Sequence, residues 1–113
     1  MQRPRLLMFG AANDDEVYGI GGTKGDMKHP TKFVDIFDIR MQRWRTGEDL
    51  NYARNEGAAI FLERDLYVIG GFDSEQRSCA MERLEANNPF WQTHITDGTV
   101  DARCFHNVVK IHL

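Results

Sequence analysis

The sequence predicts an all-β chain made of repeated four-stranded antiparallel sheets. Three observations predict it. Two glycine pairs, Gly21-Gly22 and Gly70-Gly71, stand 49 residues apart, and Arg5, Arg54 and Arg103 keep the same interval. Each glycine pair closes a short apolar run, Val17 to Ile20 and Leu66 to Ile69. Each pair is followed by an acidic–apolar segment and then a tryptophan: Val34 to Asp38 before Trp44, and Met81 to Glu85 before Trp91. Self-similarity at a fixed period of this size marks an array of small units, not one conventional domain.

The two units are in close register. Acid meets acid at Asp35/Glu82 and Asp38/Glu85, and bulky apolar meets bulky apolar at Phe37/Leu84. Val34 to Trp44 and Met81 to Trp91 both span ten residues. The glycines and the tryptophan are 22 residues apart in one unit and 20 in the other, while tryptophan to arginine is 10 and then 12. Surface loops tolerate such compensating changes. The expected organisation is residues 1–50 as the first repeat, 51–98 as the second and 99–113 as the start of a truncated third, opened by Arg103. A third glycine pair in phase would fall beyond Leu113, so the chain reads as a fragment or a cut-off array.

The second unit shows each element in order. Gly57 to Leu62 is short, apolar and rich in small residues, a strand in a crowded place. Glu63-Arg64-Asp65 is a polar turn. Leu66-Tyr67-Val68-Ile69 is apolar on consecutive residues, so both faces of this strand are covered. Gly70-Gly71 ends it, where positive φ and close approach of another backbone are allowed. Phe72 to Arg77 is a polar loop, and Ser78 to Glu85 a third strand, more exposed at Glu82-Arg83. Asn87-Asn88-Pro89 is a turn, after which Phe90-Trp91-Gln92-Thr93 opens a fourth strand. A four-stranded sheet with both faces buried needs a neighbour on each side. Radial stacking of such sheets is the β-propeller. Small residues at 57–59 suit the innermost strand, and the tryptophans suit the wide gaps near the rim.

Bulk properties narrow the function. The chain has 17 acidic and 14 basic residues, a net charge of −3. That argues against a nucleic-acid partner recruited by bulk electrostatics. No stretch approaches the roughly 20 apolar residues of a membrane span. The N-terminal strip from Leu6 to Phe9 is too short for a secretory core, so a cytoplasmic location is expected. Cys79 and Cys104 are then reduced thiols.

Arg54, the Leu66-to-Gly71 run, Glu82, Leu84 and Trp91, each with a partner in the first unit, resemble the kelch repeat. The segments before the first strands, Pro4-Arg5 and Asn51-Tyr52-Ala53-Arg54, are similar to the propeller of Kelch-like adaptor proteins. That resemblance covers the whole chain. It implies about two propeller blades plus the first strand of a third, and a non-catalytic protein-interaction module. In that family a BTB domain joins the propeller to a cullin-3 ubiquitin ligase, and the propeller recruits the substrate. The alternative is a cytoskeletal kelch protein that binds actin; an enzyme on a kelch scaffold is the third reading. The chain departs from the pattern at Gly19, which stands where the second unit has the β-branched Val68, and at Phe37 and Leu84, where a tyrosine is common in the family.

The resemblance also implies where a partner would sit. Arginines that open the innermost strands, here Arg5, Arg54 and Arg103 with Asn55 beside them, hold acidic peptides in kelch adaptors. The competing reading is a structural ion pair or backbone hydrogen bond, because they recur with the period. The loops after the glycine pairs add Lys24, Asp26 and His29, and Phe72, Asp73 and Arg77, as candidate partner contacts at the same strand ends. Gly21, Gly22, Trp44, Tyr67, Gly70, Gly71 and Trp91 are read as structural signature residues. Cys104 and His106 alternate on one strand, but two ligands do not make a zinc site, and His94 and His112 have no fitting spacing. Calcium-loop, phosphate-loop and nucleophile-elbow patterns are missing, so no metal, cofactor or catalytic residue is expected. Two blades would leave apolar faces open, so self-association is expected.

Overall fold

A computed structural model describes residues 3–25, 29–71 and 81–94. They form two four-stranded antiparallel sheets, with no helix among the described residues. The first contains β1 (Phe9–Ala12), β2 (Glu16–Ile20), β3 (Val34–Asp38) and β4 (Arg43–Thr46), paired in that order. The second contains β5 (Ala58–Leu62), β6 (Asp65–Ile69), β7 (Met81–Leu84) and β8 (Gln92–His94), again paired in order. The all-β class and the four-stranded blade are as expected. The start of the third repeat, Asp26, the loop with Phe72, Asp73 and Arg77, and Cys79, Arg103, Cys104, His106 and His112 lie outside the described residues.

The blades pack through unlike faces. On β2 and β3 the pairs Tyr18↔Ile36 and Ile20↔Val34 share one face, because side chains alternate across a strand. All four are buried, and they meet Leu66, Val68 and Trp91 of the second blade in one core, with Leu50 of the connector. Tyr18 meets Phe61 edge-on, ring centroids 5.5 Å apart, a favourable aromatic geometry. Leu66 and Val68 are the repeat counterparts of Val17 and Gly19, which lie on the opposite face of the first blade. Each blade therefore offers one face to its successor and the other to its predecessor. That is why β6 is apolar on consecutive residues. Near the hub, β1 and β5 adjoin, and a Cβ on Gly57 would lie 2.8 Å from Phe9 Cζ. Small residues at this point are a steric requirement.

Two differences from the sequence expectation are instructive. Glu82 was expected to be exposed and is fully buried. Phe90 and Trp91 precede β8 instead of opening it; Trp91 enters the core while Phe90 stays exposed. The departure at Gly19 has a local cause: the terminal methyl of Met8 lies 2.6 Å from where a Cβ would be. Met8 thus covers the surface that a larger side chain would have occupied.

The glycine pair joins the blades. Gly21 has φ of 63°, and a Cβ there would stand 2.2 Å from the carbonyl oxygen of Arg54. The next amide, Gly22 N–H, donates to that same carbonyl at 2.9 Å. The connector is further sewn down by Leu50 N–H to Lys32 O, Arg54 N–H to Thr31 O and Glu56 N–H to Leu7 O. Gly21→Ala is expected to destabilise the chain more than Gly25→Ala. Both have positive φ, which costs an L-residue about 1–2 kcal/mol. Only Gly21 also meets backbone, whereas nothing lies within 4 Å of a Cβ at Gly25. The excess should be about 1–3 kcal/mol by urea denaturation; equal losses would contradict the close approach.

Candidate protein-binding surface

The surface is built at the strand ends where the glycine pairs stand. In the second blade, Arg54 Nη1 donates to Gly70 O at 3.0 Å and Nη2 to Glu82 Oε2 at 2.7 Å. Glu82 also accepts the backbone N–H groups of Asn51 at 2.5 Å and Tyr52 at 3.2 Å. Both charged side chains are fully buried. Burial works against the charged form of Arg54 and lowers its pKa from the usual arginine value, while the Glu82 carboxylate opposes that shift.

The first blade repeats the clamp with one change. Arg5 Nε donates to Gly21 O at 2.6 Å and its Nη1 to Asp35 Oδ2 at 2.7 Å. Aspartate is one methylene shorter than glutamate. Its other oxygen is met by a side chain, with Arg3 Nη2 at 3.0 Å and Nε at 3.2 Å from Oδ1. The acid alignment at positions 35 and 82 is therefore the counter-ion of the repeated arginine.

These positions bear directly on the candidate contacts. Arg54 exposes no surface, the Arg5 side chain is 1 % exposed and Asn55 is buried. The side chains of Arg5 and Arg54 are thus placed as internal clamps. Lys24 and His29, in contrast, are exposed. The pattern did not single out Arg3 and Phe33. The Phe33 ring lies beneath three cations: Arg3 Cζ is 4.0 Å from its centroid, Lys24 Nζ 5.3 Å and Arg5 Cζ 5.4 Å. Neither residue belongs to the repeat, so periodicity gave no signal; only strand register brings the segments together.

The tryptophans differ in setting. Trp91 is buried and its indole N–H donates to Glu48 O at 3.0 Å, in the connector of the preceding blade. Trp44 is half-buried and leans on Phe37 across the strand pair, centroids 5.2 Å apart. Tyr67, the counterpart of Tyr18, lies beneath the guanidinium of Arg83 at 5.6 Å.

At the opposite strand ends, Arg83 pairs with Asp65, with Nη2 to Oδ2 at 2.6 Å, and holds the Asp65 carboxyl below its ordinary range. An exposed pair of this kind adds little stability. A groove of about 370 Å³ opens between the blades, floored by Tyr18, Ile36, Phe61, Leu66 and Leu84. Among the described residues no three His, Cys, Asp or Glu side chains gather into a metal site.

The class these features define is an all-β array of four-stranded antiparallel blades, each carrying a buried arginine–acid clamp. No protein-family model matches the chain. It is similar to F-box/kelch-repeat proteins of Arabidopsis thaliana. One is 29% identical over 99 residues, covering 88% of this chain and 25% of the relative. A second is 28% identical over 89 residues, 79% of this chain and 21% of the relative. A third is 29% identical over 105 residues, 83% of this chain and 26% of the relative. The chain spans about a quarter of the length of these relatives. Their names pair kelch repeats with an F-box, where the resemblance to Kelch-like adaptors implied a BTB domain.

Two outcomes test the geometry. Arg54→Ala strands the Glu82 carboxylate in the core and should cost about 3–5 kcal/mol in denaturant unfolding. Arg54→Met with Glu82→Gln should recover part of that loss; no recovery would mean the ion pair is not the cause. Burial, chiefly, and the neighbouring Glu16 push the Tyr18 hydroxyl up to about 12 from the ordinary tyrosine value of 10.0. A raised folded pKa gives a contribution present in full below about pH 10 and lost as pH climbs to about 12. Alkaline absorbance titration should show an ionisation near pH 12 that Tyr18→Phe removes, and the same variant should flatten the alkaline fall in stability.

Proposed function

We propose that the chain is part of a kelch propeller that recognises a protein segment on its glycine-pair strand ends, and that the propeller serves a ubiquitin ligase as its substrate receptor. The observation that carries this reading is similarity to F-box/kelch-repeat proteins over most of the chain, on a fold of matching blades. The module is non-catalytic in this reading and works in the cytoplasm. Among the described residues no helix is long and apolar enough to cross a membrane. Recruitment through a BTB domain to cullin-3 draws no support from the relatives' names, so the link to a ligase is assigned to an F-box-type region. Actin docking has no observation in its favour.

Lys24 and His29 are the described candidates for partner contact; Asp26, Phe72, Asp73 and Arg77 are the sequence candidates proposed to join them. The outward faces, with Val17, Phe37 and Trp44 on one side and Tyr67 on the other, are where further blades or a second copy would pack. The test is proximity labelling in cells by the full-length protein, with residues 23–32 native or replaced by a Gly/Ser loop. Proteins whose labelling depends on the native loop should accumulate when the proteasome is inhibited. Labelling indifferent to the loop, or targets indifferent to proteasome inhibition, would overturn the receptor reading.

A further inference from the structure

We propose that two copies of this chain pair about a two-fold axis, each inserting its Phe90 ring into the groove between the blades of the other. The contact lies at the strand ends opposite the glycine pairs. It goes beyond the protein-recognition reading and leaves the proposed recognition ends uncovered.

The ring is the first argument. Phe90 is 62 % exposed, more than any other aromatic side chain among the described residues. Its place is nevertheless fixed. Its own N–H donates to Asn88 Oδ1 at 3.0 Å, and Asn88 N–H donates to Glu85 O at 3.1 Å. Pro89 limits φ within the turn, and Trp91, the next residue, is anchored in the core. A ring held by such a turn loses little freedom on docking. Aromatic anchors that enter pockets carry much of the energy of interfaces. Blade stacking makes no use of this ring. Counted from the tryptophans, its counterpart in the first blade is Arg43, and Arg43 stays exposed with the second blade in place. A further blade would accordingly leave Phe90 uncovered.

The groove is the second argument. About 370 Å³ of space lies between the blades, ample for a benzyl group. Its floor includes Phe61 and Leu84, both only half-buried, and covering such apolar surface is favourable. Ala86, Asn88 and Pro89 form one wall, so the turn that carries Phe90 also borders the groove, although Phe90 itself does not line it. Ring and groove therefore flank one turn. A two-fold axis along that turn exchanges its two sides and sets each ring over the groove of the other copy. Such an isologous contact closes at two copies.

Charge is the third argument. The rim of the groove carries Arg45 and Arg64 against Glu48 and Glu85. Two cations and two acids make a rim that a second copy of itself meets without net repulsion. Arg45 already holds Glu16, whereas Glu85 reaches Arg83 only at 3.8 Å. Arg64 and Glu85 stand beside the same turn. The axis brings Arg64 of each copy toward Glu85 of the other.

The test uses the 113-residue chain carrying Val17→Glu, which sets a charge on the exposed outward face of the first blade and opposes end-to-end stacking. Phe90 is replaced by photoreactive benzoylphenylalanine, and isotope-labelled and unlabelled chains are mixed before illumination. Crosslinks between the two isotopes should join position 90 to the segments that hold Phe61, Leu84 and Ala86. In sedimentation the chain with native Phe90 should form dimers with a Kd on the order of micromolar, and Phe90→Ser should raise that Kd by about thirtyfold, the loss of one aromatic anchor. Arg64→Glu should weaken the pairing, and adding Glu85→Arg should restore it. A monomer throughout, crosslinks to other surfaces, or an unchanged Kd in Phe90→Ser would overturn the proposal. None of these outcomes bears on the loop-dependent labelling, which tests recognition at the other strand ends.

Discussion

A buried guanidinium held between a carboxylate and a strand-end carbonyl is the contact on which the blades depend. Taking either ion of Arg54 and Glu82 out of water is costly, and their attraction offsets that cost only when the remaining polar groups are also met. Here most of them are met by the chain path. Glu82 accepts two N–H groups from the connector as well as the guanidinium, and Arg54 reaches the carbonyl of Gly70. One cluster thus fixes the end of β6, the middle of β7 and the entry into β5. The arginine, the glycine pair and the acid look like three separate marks in the repeat, but in space they are a single contact.

Blade stacking follows from strand alternation. A period of two sorts each strand into a predecessor face and a successor face, and a repeat array needs both to be apolar. Tyr18 and Ile20 of the first blade meet Leu66 and Val68 of the second, which occupy the other parity. Continuous apolarity in β6 is the one-dimensional trace of that arrangement. The first blade meets the same demand differently, since Met8 lays its side chain over Gly19 and substitutes for a branched residue at that place.

Strand positions were legible because apolar runs, glycines and turn residues act over a few neighbours. Interactions across many residues were not. Glu82-Arg83 reads as a solvated pair in one dimension, yet Glu82 belongs to Arg54, 28 residues earlier. Trp44 and Trp91 hold the same place in the repeat but differ in burial. The carbonyl that Trp91 bonds comes from the previous blade's connector, and no counterpart for Trp44 is among the described residues. Arg3 and Phe33 were invisible for the opposite reason: neither recurs, so a reading based on echo passes over them.

That contrast separates scaffold from recognition. A residue that returns in each blade answers a demand that each blade makes, and Arg5 and Arg54 show it by burying their side chains in the interior. Recognition of one partner makes no such periodic demand. In the first blade Lys24 and Arg3 lie around Phe33 beside a clamp whose own arginine is hidden. A fold of this kind can exchange its non-repeating side chains without touching the buried contacts that hold its blades together.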